Sequence, residues 1–243
     1  TVGKPEHFYY SGCAFGKFQR LLADYPSATL HETIPHFHDT ASRYRDFEKA
    51  VEENVTGRAA DVAEEIAFIR ARKADCSILV DMLERGELPL RVTHNDTKLN
   101  NVMLDDVTGR PVCVIDLDTV MPGLSLYDFG DSMRFGTNPA AEDEKDLSKV
   151  YCDLNLFEQY TKGFLEECGS MLTDNEIAML PLSAKLMTLE CGMRFLADHI
   201  AGDTYFKIHR EGHNLDRCRT QLKLVADMES KMDAMKQIVE KYR

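Results

Sequence analysis

The chain is 243 residues long with a formal net charge of −12 and 44% hydrophobic residues, enough for one sizeable core or one large lobe of a bigger protein. That charge argues against nucleic acid or an anionic membrane as partner. No apolar run approaches the ~20 residues of a membrane span, no basic-then-apolar leader opens the chain, and the seven cysteines stand singly without a C-x-x-C pair, which points to reduced thiols in a cytoplasmic protein.

Tyr9 to Asp24 places Phe15, Phe18, Leu21 and Leu22 on one side of a helix that stops near Tyr25-Pro26. Ser27 to Thr40 holds three of the eight histidines, His31, His36 and His38, in an ordered loop; no carboxylate or thiolate is spaced to complete a metal cluster there. From Ala41 to Glu84 apolar residues recur at helical steps, with a break at Thr56-Gly57, and Gly86–Pro89 leads out of it. Past the central region come a loop at Met121-Pro122-Gly123, a short helix over Tyr127–Phe135 that Asp128 caps, and a polar, solvated stretch from Thr137 to Lys145. Further helices run through Leu156–Leu165 and Ile177–Ile200, and a final one spans Leu215 to Tyr242, whose uneven stripe docks onto its own domain. The fold class is mainly α with a small β-hairpin.

That hairpin lies within His94–Asp118, HNDTKLNNVMLDDVTGRPVCVIDLD. Val102-Met103-Leu104 and Val112-Cys113-Val114-Ile115 are strand-forming, and Asp105–Pro111 between them is turn chemistry. A turn about Thr108-Gly109 sets Leu104 opposite Cys113, Val102 opposite Ile115, and Asn101 opposite Asp116. Directly opposed residues lie roughly 4.5–5.5 Å apart, so an amide oxygen and a carboxylate would sit side by side, with Asp96 leaning in from the entering loop. Hard oxygen ligands of this kind suit Mg²⁺, which leaves other positions to water and substrate phosphates.

His94-x-Asp96-x-x-x-x-Asn101, followed by a strand ending in Asp116, resembles the catalytic core of the kinase fold. Asn95 stands where many protein kinases have arginine, so an activation-loop phosphate is not the expected regulator. The stretch is more similar to the aminoglycoside phosphotransferase-like small-molecule kinases. Within them IDLDTVMPGLSLYDFGDSMRFGTN resembles the N-acetylhexosamine 1-kinase branch, often labelled mucin desulfatase. The resemblance implies the C-terminal lobe of that fold, with ATP as phosphoryl donor, Mg²⁺, and a sugar acceptor phosphorylated at its anomeric hydroxyl.

By the same resemblance, Asp96 is the base that orients the attacking hydroxyl, and Asn101 and Asp116 hold Mg²⁺ against the nucleotide phosphates. Lys98 is either a γ-phosphate contact or an exposed loop lysine, and Asp118, which touches either the second metal or only the loop backbone, is assigned to the metal. His94 is a buried strut. The family's sugar pocket uses residues of the type of Arg194 and Tyr205 from this region; the alternative is an arginine that snorkels and a tyrosine that packs. Asp128-Phe129-Gly130 spells the protein-kinase magnesium motif but does not end the hairpin strand, so Asp128 is assigned to the helix cap.

A kinase of this fold also needs a β-rich lobe with a phosphate-covering loop and a strand lysine. Residues 1–243 are therefore expected to be the acceptor- and metal-binding lobe, with the N-terminal nucleotide lobe absent and little activity alone. Rival readings are a kinase of another small alcohol (an aminoglycoside or a choline-like amine), a haloacid-dehalogenase-type phosphatase using Asp116 in its D-x-D, and a noncatalytic binding module. A sulfatase is excluded, because no cysteine lies in a C-x-P-x-R segment. The oligomeric state stays open.

Overall fold

The computed structural model describes residues 3–243. Helix α1 (Pro5–Leu21) opens with proline in its first turn, where the missing N–H has no intrahelical partner to lose. It lies along α6 (Leu154–Cys168), and glycines permit the approach. A Cβ on Gly12 would stand 2.5 Å from the Tyr160 carbonyl oxygen, and one on Gly163 would stand 2.3 Å from that of Tyr9. Only hydrogen fits at either place.

Residues 41–84 divide into short pieces: α2 (Thr40–Glu53), α3 (Ala63–Arg70) and α4 (Ile78–Glu84), joined by 3₁₀ turns. Asp39 caps α2 through the Ser42 amide, and α2 ends at Asn54 in the left-handed region. Gly57 is also left-handed, so the break falls where the sequence puts it. After α5 (Ser125–Gly136) and α6, the long α7 (Asp174–Ala201) starts with a capping box between Thr173 and Glu176 and ends at Gly202. It is buried on most of its circumference, because α5, α2 and α8 (His213–Ser230) all pack on it.

The final segment is two helices, not one. α8 stops at Lys231 and α9 (Met232–Lys241) turns back to meet α6 and α7. Met228 and Met235 are both buried, so the turn places the two halves of the apolar stripe on one core, which a straight rod could not do. Aromatic residues of α5 and α6 (Phe129, Phe157, Tyr160, Phe164) centre that core, and a second core joins Phe47 and Ile69 to Leu196 and Val225.

The β structure is two antiparallel ladders rather than a single hairpin. β1 (Arg91–Thr93) pairs with β4 (Met121–Gly123), and β2 (Val102–Leu104) pairs with β3 (Pro111–Val114). The outer ladder closes the neck of the segment that carries the inner hairpin, and Met121–Gly123, expected as loop, is one of its strands. These short, paired, antiparallel strands exclude the parallel sheet of a haloacid-dehalogenase-type phosphatase among the described residues. No helix among them is long and apolar enough to cross a membrane.

Candidate active site

The hairpin register differs from the expected one. Val102 faces Val114 and Met103 faces Cys113, with an irregularity before Leu104, which faces Pro111. The turn and a bulge explain the shift: the Asp105 carboxylate accepts the Val107 and Thr108 amides and the Asp105 amide donates to the Arg110 carbonyl, which centres the turn one residue early, and Val112 is then skipped between Pro111 and Cys113. Asn101 is therefore level with Ile115, whose amide donates to the Asn101 carbonyl at 2.9 Å. Asp116 stands one residue beyond, in the left-handed region at φ 65°, not directly opposite Asn101.

Asp96 and Asn101 do meet. The Asn101 amide nitrogen donates to the Asp96 carbonyl at 2.8 Å and to its carboxylate at 3.1 Å. The other carboxylate oxygen of Asp96 takes Lys98 Nζ at 3.0 Å. With its nitrogen so engaged, Asn101 turns an amide oxygen that accepts no hydrogen bond among the described residues. The exposed carboxylates of Asp116 and Asp118 likewise have no hydrogen-bond or ion-pair partner there. An amide oxygen and carboxylates are each hard oxygen donors of the kind Mg²⁺ takes. No cluster of three or more His, Cys, Asp or Glu side chains among the described residues forms a metal site, so the three loop histidines do not converge on one.

What fixes Asp96 is the buried backbone around it. Asp128 is not a helix cap: it lies one turn inside α5, whose N-cap is Leu124. Its carboxylate instead accepts the amides of His94 at 3.0 Å and Asn95 at 2.7 Å, and the Gln19 side chain at 2.8 Å. Burial pushes the Asp128 carboxyl up, opposed by these donors. One turn later Asp131 accepts the Thr97 amide at 2.9 Å and Nε and Nη2 of Arg134. Burial would raise the Asp131 carboxyl too, but the Arg134 and His38 charges hold it below the usual range. Ser132 donates to the Thr97 carbonyl, and Thr119 donates to that of His94. Helix α5 thus grips residues 94, 95 and 97 and leaves Asp96 as the one side chain of the turn free to face outward.

His94 is fully buried. Its Nε2 lies 2.9 Å from the Ile115 carbonyl, its Nδ1 accepts the Asp96 amide at 3.3 Å, and its ring packs edge-on to Phe15 and Phe18. It ties the loop to the end of the hairpin.

Arg194 and Tyr205 come together, apart from Asp96. The Arg194 guanidinium sits 5.4–5.9 Å from the ring centres of Phe37, Tyr205 and Phe206. Arg194, Tyr205 and Phe206 line a cavity of about 390 Å³ with Arg43, Asp46 and Asp198, and Asp96 is not among its walls. Tyr205 is 70% exposed. Its loop is set by Asp198, which accepts the amides of Thr204, Tyr205 and Phe206.

The phosphotransferase enzyme family (APH) model matches residues 4–161, well over half of the chain. The chain belongs to that family. It is a kinase-type phosphotransferase whose family chemistry is transfer to a hydroxyl of a small molecule. The match takes in the loop, both ladders and the α5 clamp, but ends before α7 and Arg194.

Sequence reasoning missed Asp131, His38 and Glu190 as supports of the loop. A usable signal existed for one of them: Asp128 and Asp131, spaced i, i+3, share one face of a helix that otherwise reads as apolar. The stretch from Thr137 to Lys145 is likewise less solvated than expected. Thr137 and Asn138 are buried, and Glu142 pairs with Arg134 at 3.3 Å.

Proposed function

We propose that this phosphotransferase transfers the γ-phosphoryl group of ATP, with Mg²⁺, to a sugar hydroxyl, the anomeric hydroxyl of an N-acetylhexosamine. The observation that carries the reading is the Asp96–Asn101 pair, in which one amide orients the carboxylate while its own oxygen has no partner among the described residues. Phosphoryl transfer asks for placement and charge neutralisation more than covalent help. Asp96 accepts the hydroxyl proton. Lys98, already 3.0 Å from that carboxylate, turns its charge to the transferring phosphoryl oxygens and frees one carboxylate oxygen for the proton. Asn101, Asp116 and Asp118 would hold the cation, which would supply charge neutralisation for the phosphate oxygens.

We assign recognition of the acceptor's substituents to the Arg194 cavity; Asp96 is not among its walls, so the reacting hydroxyl has to extend from it. Arg194 makes no ion pair among the described residues, and its guanidinium has only donors to offer. Hydroxyl and acetamido oxygens satisfy it, with Tyr205 and Phe206 against the ring. We infer that the nucleotide's base is covered from above the hairpin by a nucleotide lobe of the family type. Met103, Val112 and Leu117, exposed on the hairpin and just past it, support an apolar cover there. The protein works in the cytoplasm, where ATP is supplied.

An acceptor screen on the full-length protein with ATP and Mg²⁺, using neutral hexosamines, aminoglycosides and choline, tests this. Sugar 1-phosphate formation by the wild type, lost in Asp96→Asn, is the expected result. Turnover of only cationic acceptors would overturn the sugar assignment, and an unimpaired Asp96→Asn would remove Asp96 as the base.

A further inference from the structure

The residue before Asp96 is held from the opposite side of the domain by a group that neither the family match nor the phosphotransfer reading uses. Asn95 is one of the non-glycine residues in the left-handed region, at φ 66°, a conformation that persists only when its surroundings hold it. Its carbonyl lies 2.9 Å from His38 Nε2, while His38 Nδ1 lies 2.8 Å from Glu190 on α7. The second oxygen of Glu190 accepts from Thr40 at 2.9 Å. All these groups are buried.

A carbonyl oxygen can only accept, so His38 Nε2 must carry a proton to bond Asn95. An ionised Glu190 can also only accept, so Nδ1 must carry one as well, or else the acid itself keeps that proton. Either way the His38–Glu190 pair holds one proton more than a neutral imidazole beside a carboxylate. If that proton leaves, the remaining one stays on Nδ1 facing Glu190, and a bare Nε2 lone pair is set against the Asn95 carbonyl.

We propose that the Glu190–His38 pair is a positioning device for the Asp96 loop, fastening Asn95 while it keeps its extra proton and releasing it when that proton is lost. The other groups facing the ring favour retention. Asp131 on α5 is negative and balanced by Arg134, and Tyr127 on the same helix is a buried, neutral phenol. Asp39 and Glu32 on the ring's own segment are acidic, and Asp128 holds the Asn95 amide from below. Burial alone would lower His38, but Glu190 and Asp131 together raise it above the ordinary histidine value.

The amide variant Glu190→Gln separates this device from simple packing. Its nitrogen can donate to a neutral His38 Nδ1 and its oxygen can accept from Thr40, so Nε2–H stays on Asn95 with no ionised group involved.

The test is ¹⁵N NMR of the His38 ring with amide exchange at Asn95 to Thr97 on the full-length protein, followed through the ring's titration. Both ring nitrogens, or one nitrogen and Glu190, should carry protons at neutral pH in the wild type. Their loss should speed loop exchange about tenfold beyond the intrinsic pH effect, the low end for one buried bond. Glu190→Gln should abolish that step; His38→Ala should show fast exchange at every pH. A bare Nε2 at neutral pH, or loop exchange indifferent to the ring, would overturn the proposal.

The kinetic part rests on the phosphotransfer reading. There kcat should show an alkaline limb that Glu190→Gln removes with KM unchanged, and a limb retained in Glu190→Gln refutes the coupling. If NMR behaves as expected while no acceptor is phosphorylated, the phosphotransfer reading fails and the positioning device stands.

Discussion

Asp128→Asn is the sharpest probe of the clamp, because it keeps the shape of the side chain and removes only its charge. In the wild type one carboxylate oxygen accepts the Asn95 amide, and the other accepts both His94 N and Gln19 Nε2. With its oxygen kept on Asn95, the new amide turns an NH₂ toward two donors. Gln19 can adapt, since its Oε1 is buried without a partner and a rotated amide would offer that oxygen. The His94 amide cannot rotate, so one buried donor is left facing another. The cost is about 1–3 kcal/mol, at the lower end because the variant no longer buries a charge. For a chain of this length that is a fall in Tm of roughly 2–12 °C. Asp128→Ala leaves three donors unmet and should cost about 3–9 kcal/mol by the same count. Thermal melts by circular dichroism, with amide exchange at His94 and Asn95, give the readout. If Asp128→Asn melts with the wild type and the His94 amide exchanges no faster, the clamp does not fix the loop.

Glu176 is buried and receives Arg91 at 2.6 and 2.9 Å. Burial would raise its carboxyl, but Arg91 and the capping bonds hold it below the ordinary value. A depressed folded pKa contributes stability that is full above the unfolded value, about 4.3, and is lost as pH falls below it. Glu176→Gln should therefore cost about 3–5 kcal/mol at neutral pH, and its Tm gap from wild type should close in acid; a pH-independent gap refutes the ion pair as the cause. Gly163→Ala drives a Cβ against the Tyr9 carbonyl, and the parting of α1 from α6 should cost about 1–3 kcal/mol in a chemical denaturation curve. Lys98→Met removes a half-exposed charge, so Tm should stay within about 2 °C of wild type. On the phosphotransfer reading its kcat should nevertheless fall about 10²-fold, and an unchanged rate would make Lys98 a bystander.

The sequence by itself determined what local chemistry controls. The left-handed glycine at Gly57, the Tyr25-Pro26 stop, the strand-forming runs and the periodic helices follow from backbone freedom and from apolar spacing within a few turns. The Asp96–Asn101 contact was legible for the same reason: five residues of tight loop leave little room for the two side chains to part.

Tertiary structure decided the rest, because those choices depend on partners far away in the chain. The outer ladder needs Arg91 and Gly123 to meet, and neither triplet has a strand signal strong enough to announce it. The one-residue shift of the hairpin is set by the Asp105 turn and moves Asp116 past Asn101. Asp128 reads locally as a cap, yet a buried carboxylate goes where unmet N–H groups are, and those were 33 and 34 residues upstream. His38 could not be assigned from its neighbours, since its partner Glu190 lies 152 residues away. Spacing names the residues that can meet within a few turns; burial alone fixes which distant donors and acceptors must find each other.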